Sequence, residues 1–149
     1  MSFWKILPWI SRLIILAVAG LFTAISLKFI LDPQGSAAAS GITIEPGLAY
    51  TSTRTGFGGF PLGFALILLF CLFSPRRLLA ALSFIATVTA VILLVRVYAA
   101  ATDNTFAASA YLLAPETAIT LISLLAVWLE WSRRRHVART SPVSAGGAA

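Results

Sequence analysis

Four long apolar segments constrain this chain more than any other feature of its sequence. They extend from about Ile10 to Leu31, Gly56 to Phe73, Leu78 to Ala100 and Leu112 to Trp131. A helix needs about 20 mostly apolar residues to cross the hydrocarbon core of a bilayer, and each segment reaches or approaches that length. Lipid offers the backbone no hydrogen-bond partner, and short segments without alternating polarity cannot close a barrel. The sequence therefore predicts an all-α integral membrane four-helix bundle.

Composition and charge support a chain whose natural solvent is lipid. Hydrophobic residues make up 59% of the 149 residues and charged residues only 11%, which is unusual for a water-soluble domain. The formal net charge of +6 could indicate a nucleic-acid binder, but the basic residues lie at the ends of the apolar segments instead of forming one face. We therefore expect no nucleic-acid partner. Residues 1–132 are predicted to form one transmembrane domain, and residues 133–149 a basic, flexible cytoplasmic tail.

The segments between the apolar runs differ in character. Ser74-Pro75-Arg76-Arg77 is predicted to be a tight turn that makes the second and third helices antiparallel neighbours. Residues 32–55 are predicted to be a longer connection that begins with Asp32-Pro33-Gln34-Gly35. Its stretch from Ile42 to Tyr50 is apolar enough to lie on the membrane surface or on the bundle, so we do not expect disorder there.

Basic residues beside the spans predict the orientation, because positively charged flanks are retained in the cytoplasm. Eight lie on one side and three on the other. The eight are Lys5, Arg12, Arg76, Arg77, Arg133, Arg134, Arg135 and Arg139, and the three are Lys28, Arg54 and Arg96. The four tryptophans, Trp4, Trp9, Trp128 and Trp131, map to the arginine-rich side, where indole rings prefer the headgroup boundary. Both termini are therefore predicted to be cytoplasmic, in a bacterial inner membrane.

The first segment has a second interpretation. Lys5 and Arg12, followed by Leu13 to Phe22 and the small residues near Ser26, resemble a secretory signal peptide. Cleavage would leave three helices in the same orientation. Because the apolar run continues through Leu31, we favour four uncleaved spans.

Three charged residues beside or within the spans are the candidates for a functional site: Arg54, Arg96 and Glu116. Arg96 lies roughly 18 residues, or about 27 Å, beyond Leu78, near the outer edge of the hydrocarbon core. Glu116 follows Pro115, which predicts a helix start with an acid in its first turn. The three residues are predicted to lie at similar outer depth. They could fasten helices together, bind an anionic headgroup or substrate, or extend separately to the interface.

Gly58, Gly59 and Gly63 are predicted helix-packing residues. Gly59 and Gly63 lie one turn apart, which lets another helix approach closely. Packing within the chain is the first interpretation, and a contact between copies is the alternative. The stretch is not a nucleotide-binding loop, because the Lys-Ser/Thr ending is missing.

No set of residues specifies a reaction. His136 is the only histidine and Cys71 the only cysteine, so a Ser-His-Asp arrangement and a cysteine-cluster metal site cannot be assembled. Asp32, Glu45 and Asp103 are too scattered to form a metal cage. We expect no catalytic residue, no metal and no cofactor.

A short series of motifs resembles a known family. Asp32-Pro33 follows the first segment, Arg54-x-Gly56-Phe57-Gly58-Gly59 leads into the second, and Arg96 and Glu116 lie at the outer ends of the third and fourth. This series, over about residues 10–131, resembles small bacterial four-helix membrane proteins catalogued as a domain of unknown function. That resemblance implies the fold and no activity. A fainter resemblance to DoxX-like membrane proteins, some linked to quinone or thiol redox chemistry, is weakened by the single cysteine.

These observations favour a non-enzymatic protein that packs against, or helps assemble, other membrane components. Its expected partners are the lipid bilayer and other membrane proteins or further copies of itself. The alternative is a small lipid- or quinone-binding or redox-associated protein with its polar site at the outer face. A transporter is less favoured, because no charged residue is predicted near the bilayer midplane.

Overall fold

The computed structural model describes residues 3–140, with side-chain surroundings for residues 6–138, and this part of the chain is helical without strands. Four helical stretches are long and apolar enough to cross a membrane: Ile6–Leu31, Leu48–Leu72, Leu78–Thr102 and Phe106–Ala138. The prediction of an all-α chain with four candidate spans is therefore confirmed. Insertion and orientation stay predictions.

The helices, in chain order, are α1 (Phe3–Leu31), α2 (Pro33–Ala38), α3 (Leu48–Thr53), a π-helix (Arg54–Gly59), α4 (Phe60–Leu72), α5 (Leu78–Thr102) and α6 (Phe106–Thr140). The candidate tail is thus helical up to Thr140, and residues 141–149 lie outside the described part. The second candidate span begins at Leu48 instead of Gly56, because α3, the π-helix and α4 follow one another without a break.

One expected helix start is wrong. Helix α6 begins at Phe106, so Pro115 lies inside it and Glu116 is not in its first turn. Residues 106–111 contain three alanines, and alanine is the best helix former, which lets the helix begin before the most apolar stretch. An internal proline removes one backbone hydrogen bond, a loss that transmembrane helices tolerate when neighbouring groups compensate.

The connection between α1 and α4 is ordered by local hydrogen bonds. A carboxylate oxygen of Asp32 accepts from the Gly35 backbone N–H at 2.9 Å and caps the short helix α2. The Tyr50 hydroxyl donates to Oε1 of Gln34 at 2.5 Å, which joins α3 to α2. The expectation that this connection is not disordered is consistent with these bonds.

The described residues divide into two compact units. The α5–α6 unit contains residues 3–11 and 78–140, and the α1–α4 unit contains residues 12–77. Each unit has its own pattern of burial.

In the α5–α6 unit, two long helices pack along each other. The connection of residues 103–105 reverses the chain, with Asn104 at a φ of 54°. Buried positions recur every three or four residues on both helices, as expected for one helical face. On α5 these include Leu78, Leu82, Ile85 and Thr89, and on α6 Thr120, Ser123, Ala126 and Glu130. The buried residues of α6 are therefore largely polar, and those of α5 are largely apolar.

In the α1–α4 unit, α1 contacts the π-helix and α4 through aromatic rings and a glycine. The rings of Phe22 and Phe64 lie 6.5 Å apart, and those of Phe29 and Phe57 stack at 5.3 Å. Ala65 and Leu68 of α4 are fully buried, as is Ser26 of α1. These contacts of α1 with the π-helix and α4 depend on shape and apolar packing.

Candidate functional site

Arg96 and Glu116 form an ion pair between α5 and α6. Nε of Arg96 donates to Oε2 of Glu116 at 2.5 Å, and the two side chains are 32% and 22% exposed. A charged side chain within an apolar span is costly unless it is paired, and each of these residues supplies the other's partner. The pair therefore links the two helices of this unit.

The interior position of Glu116 explains how it can reach α5. Because α6 begins at Phe106, Glu116 belongs to the regular helix that follows Pro115, and its backbone carbonyl accepts from the Thr120 hydroxyl at 2.8 Å. Glu116, Thr120 and Ser123 follow one another at spacings of four and three, which places them on one face of α6. Of these three residues, Glu116 is the nearest to the N-terminal end of α6.

Arg54 has a backbone acceptor within its own unit. Its Nε donates to the Ile30 carbonyl at 3.1 Å. The last four carbonyls of a helix lack intrahelical donors, and Ile30 belongs to the last turn of α1. Arg54 thus satisfies and electrostatically complements the C-terminal end of α1. It lies in a different unit from the Arg96–Glu116 pair, so a cluster of all three residues stays a prediction.

Gly58 lies where α1 leaves no room for a side chain. A Cβ at this position would lie 2.5 Å from Cγ1 of Ile30 and 3.4 Å from the Ser26 carbonyl oxygen. Glycine lets the two backbones approach this closely, as it does between the helices of membrane proteins. Of the three candidate packing residues, Gly58 is therefore the one buried against another helix of its unit.

Gly59 and Gly63 instead lie on an exposed face. Both are exposed, and a Cβ on Gly63 would meet no atom within 4 Å. They line a shallow apolar depression of about 340 Å³, here called the glycine groove, together with Thr55, Phe60, Phe64 and Ile67. The π-helix forms one end of this groove, and single π turns are frequent at functional sites.

A second cavity, of about 390 Å³, lies in the α5–α6 unit beside Arg96 and is here called the Arg96 cavity. Its wall combines apolar side chains of α5 with polar side chains from Arg96, Thr105 and Ser109. It is the one place among the described cavities where a charged group borders an apolar recess of ligand size.

Sequence reasoning missed Glu130, the most deeply buried charge among the described residues. Its side chain is 0% exposed, and both carboxylate oxygens accept from Arg133, at 2.9 Å from Nε and 2.6 Å from Nη2. Nε of Arg134 also donates to it, at 3.2 Å. The spacing of three and four residues was the available signal, because such pairs face each other on a helix. Arg133 and Arg134 therefore form ion pairs with Glu130, in addition to their predicted role in fixing the orientation of the chain in the membrane.

The remaining candidates for chemistry are not gathered together. Among residues 6–138, no three His, Cys, Asp or Glu side chains are placed to hold a metal ion. Cys71 is a half-buried thiol on α4. Two sets of charged side chains do meet, Arg96–Glu116 and Glu130 with its arginines.

No protein-family model, curated protein or solved structure matches this chain. The resemblances to the four-helix family of unknown function and to DoxX-like proteins stay predictions. The interpretation of function thus depends on the geometry of the two units.

Proposed function

We propose that this protein is a non-enzymatic, multi-pass protein of the bacterial inner membrane that packs against a helix of another membrane component and helps assemble it. Both termini are cytoplasmic in this proposal. The eight basic flanking residues against three, and the tryptophans on the same side, support that orientation.

The exposed glycine groove carries the proposal. Within lipid, apolar side chains gain little from leaving the acyl chains, so helices associate where small residues let their backbones approach closely. Gly59 and Gly63 provide such a surface, and neither is covered by the described residues. Gly58, one position away, is covered by α1 of its own unit. We infer that Gly58 serves internal packing, whereas Gly59 and Gly63 receive a partner helix.

The groove also excludes polar partners. Its lining is almost entirely apolar, with only the Thr55 side chain bearing a hydroxyl. A charged or strongly polar segment would be desolvated there without compensation. The partner is therefore an apolar transmembrane helix whose side chains fit between Phe60 and Phe64.

Native mass spectrometry of the full chain from mild detergent tests this function. We expect the wild-type protein to carry a protein partner or a second copy, and Gly63→Leu to lose it because the new side chain fills the groove. Gly20→Leu is the matched control, since Gly20 is also exposed and a Cβ added there would meet no atom within 4 Å, but it lies on α1 outside the groove. A wild-type protein without any protein partner, or Gly63→Leu that retains it, would contradict the proposal.

A further inference from the structure

We propose that the Arg96 cavity binds one phospholipid, with the headgroup phosphate at Arg96, Thr105 and Ser109 and an acyl chain along the apolar residues of α5. This inference goes beyond the proposed function, because the cavity and the glycine groove lie in different units and share no residue.

The cavity has a polar end and an apolar end. Val91, Ile92 and Val95 line one part of its wall, and Thr105 and Ser109 line the part formed where the chain turns from α5 into α6. From Val91 to the end of α5 the helix rises roughly 16 Å, so polarity changes along the helix axis. A lipid has the same order, with an acyl chain in the hydrocarbon core and a phosphate at the interface.

Arg96 has hydrogen-bond donors for which residues 6–138 provide no acceptor. A guanidinium carries five N–H donors. Only Nε donates to an acceptor among residues 6–138, namely to Glu116. The terminal Nη groups therefore remain available to a phosphate, which guanidinium groups bind by paired, charge-assisted hydrogen bonds.

An anion in the cavity meets the guanidinium but not the carboxylate. Arg96 is the only charged residue among the described residues that line the cavity, and Glu116 is not part of the lining. Glu116 orients Arg96 through Nε, as a fixed carboxylate partner does for other binding arginines. The ion pair thus positions the guanidinium in addition to linking the helices.

Two hydroxyls complete the polar end. The side chains of Thr105 and Ser109 make no hydrogen bond to residues 6–138. Their backbone N–H groups, in contrast, are bonded: that of Thr105 donates to the Ala100 carbonyl at 3.0 Å, and that of Ser109 donates to the Thr105 carbonyl at 2.8 Å. Both hydroxyls can donate to phosphate oxygens. Thr105 also directly precedes α6, whose N-terminal end has the partial positive charge that favours an anion.

The volume of the cavity suits part of a lipid. About 390 Å³ lies within the usual range of small-molecule pockets. Ala99 lies three residues after Arg96 on the same side of α5, and its small side chain leaves part of this space open. A larger residue at that position would fill the cavity and leave the charges in place.

The test measures phospholipid retention by native mass spectrometry, with the full chain in mild detergent and added phosphatidylglycerol. Wild type is expected to retain one lipid. Ala99→Leu should retain it about tenfold less well, because the added side chain displaces the acyl chain from part of the apolar wall. Ala101→Leu is the matched control, because Ala101 is an exposed neighbour on α5 that does not line the cavity.

A second variant tests the hydroxyls without changing the charges. Thr105→Val with Ser109→Ala should also weaken retention by several-fold, whereas Thr102→Val should not, since the Thr102 hydroxyl already donates to the carbonyls of its own helix. Equal retention by wild type, Ala99→Leu and the double variant would overturn the proposal.

Two competitors separate the possible sources of the ligand. Glycerol phosphate has the phosphate without acyl chains, and we expect it not to displace the lipid at equal concentration. Displacement by glycerol phosphate would show that the apolar wall contributes nothing to binding, which would overturn the proposal. The second competitor is a neutral isoprenoid quinone, and its retention in place of phospholipid would also overturn the proposal. Loss of protein partners in Gly63→Leu with lipid retention intact would separate this site from the glycine groove.

Discussion

The two units hold their helices together by different interactions. In the α5–α6 unit, α6 buries a largely polar face, and the Arg96–Glu116 pair fastens α6 to α5. In the α1–α4 unit, α1 meets its neighbours mainly through stacked rings and through Gly58, where no side chain fits, and Arg54 caps the end of α1. The first unit is therefore sensitive to lost charge, and the second to added volume.

This difference follows from what each contact costs in lipid. A charge pair in an apolar span is costly to bury, and it stabilises mainly because an unpaired member would be worse. Close packing has no such penalty, but it tolerates no extra atoms. Removal of a charge should therefore affect the α5–α6 unit more, and added volume should affect the α1–α4 unit more.

Gly58→Leu should have the largest effect on stability. A Cβ alone would lie 2.5 Å from Ile30, so a leucine must displace α1, and overpacking of this kind costs about 3 kcal/mol. Reversible unfolding in mixed detergent and SDS micelles, followed by circular dichroism, measures the loss.

Gly56→Leu is the control for that substitution, because Gly56 is exposed and a Cβ added there would meet no atom within 4 Å. It should change the free energy of unfolding by less than about 1 kcal/mol. Equal destabilisation by the two variants would mean that helix propensity, not contact with α1, decides the role of Gly58.

Glu130→Ala should rank second. It removes the only fully buried carboxylate among the described residues and leaves the Arg133 and Arg134 guanidinium groups without that acceptor. Breaking a buried pair costs about 3–5 kcal/mol, but the arginines are partly exposed, so we expect about 2 kcal/mol. The same unfolding measurement applies, with Glu45→Ala as a control at an exposed acid. A loss no larger than that of the control would show that solvation of Arg133 and Arg134 by water compensates for the lost ion pairs.

The Arg96–Glu116 pair should contribute less, because both side chains are partly exposed. A double-mutant cycle with Arg96→Gln and Glu116→Gln should give a coupling free energy of about 1 kcal/mol. A coupling near zero would remove the pair as a link between α5 and α6, and would leave close packing as the common principle of both units.

Ser123→Ala should have the smallest effect and the opposite sign. The Ser123 hydroxyl is buried and has no hydrogen-bond partner among the described residues. Its removal should leave stability unchanged or raise it by up to about 1 kcal/mol. Ser26→Ala is the matched control, because that buried hydroxyl donates to the Phe22 carbonyl at 2.7 Å. Clear destabilisation by Ser123→Ala would indicate an unrecognised acceptor.

Hydrophobic length alone predicted the four candidate spans, because a helix in lipid has little freedom in its secondary structure. The helix starts were harder to predict. Proline often begins a helix, so Pro115 predicts a boundary, yet the alanines before it extend the helix in the N-terminal direction. The π-helix at Arg54–Gly59 has no comparable signal in the sequence.

The candidate site was predictable in part. Arg96 and Glu116 stand out in the sequence as polar residues near the ends of apolar spans, and the structure joins them. The Arg54 contact with Ile30 joins residues 24 apart in sequence, and it depends on how α1 ends, which composition does not reveal. The arginines that follow Glu130 are already explained as a predicted cytoplasmic flank, so their charge does not by itself indicate an ion pair. Only the spacing of three and four residues from Glu130 to Arg133 and Arg134 indicates one.

The most direct test of the account is contact at position 63 within native membranes. In a Cys71→Ala background, Gly63→Cys or Gly20→Cys would be labelled with a benzophenone maleimide and irradiated, and protein adducts detected after denaturing electrophoresis. If a partner helix occupies the glycine groove, position 63 gives a defined protein adduct and position 20 gives none, because Gly20 lies outside the groove. The absence of an adduct from position 63, or the same adduct from both positions, would contradict the account.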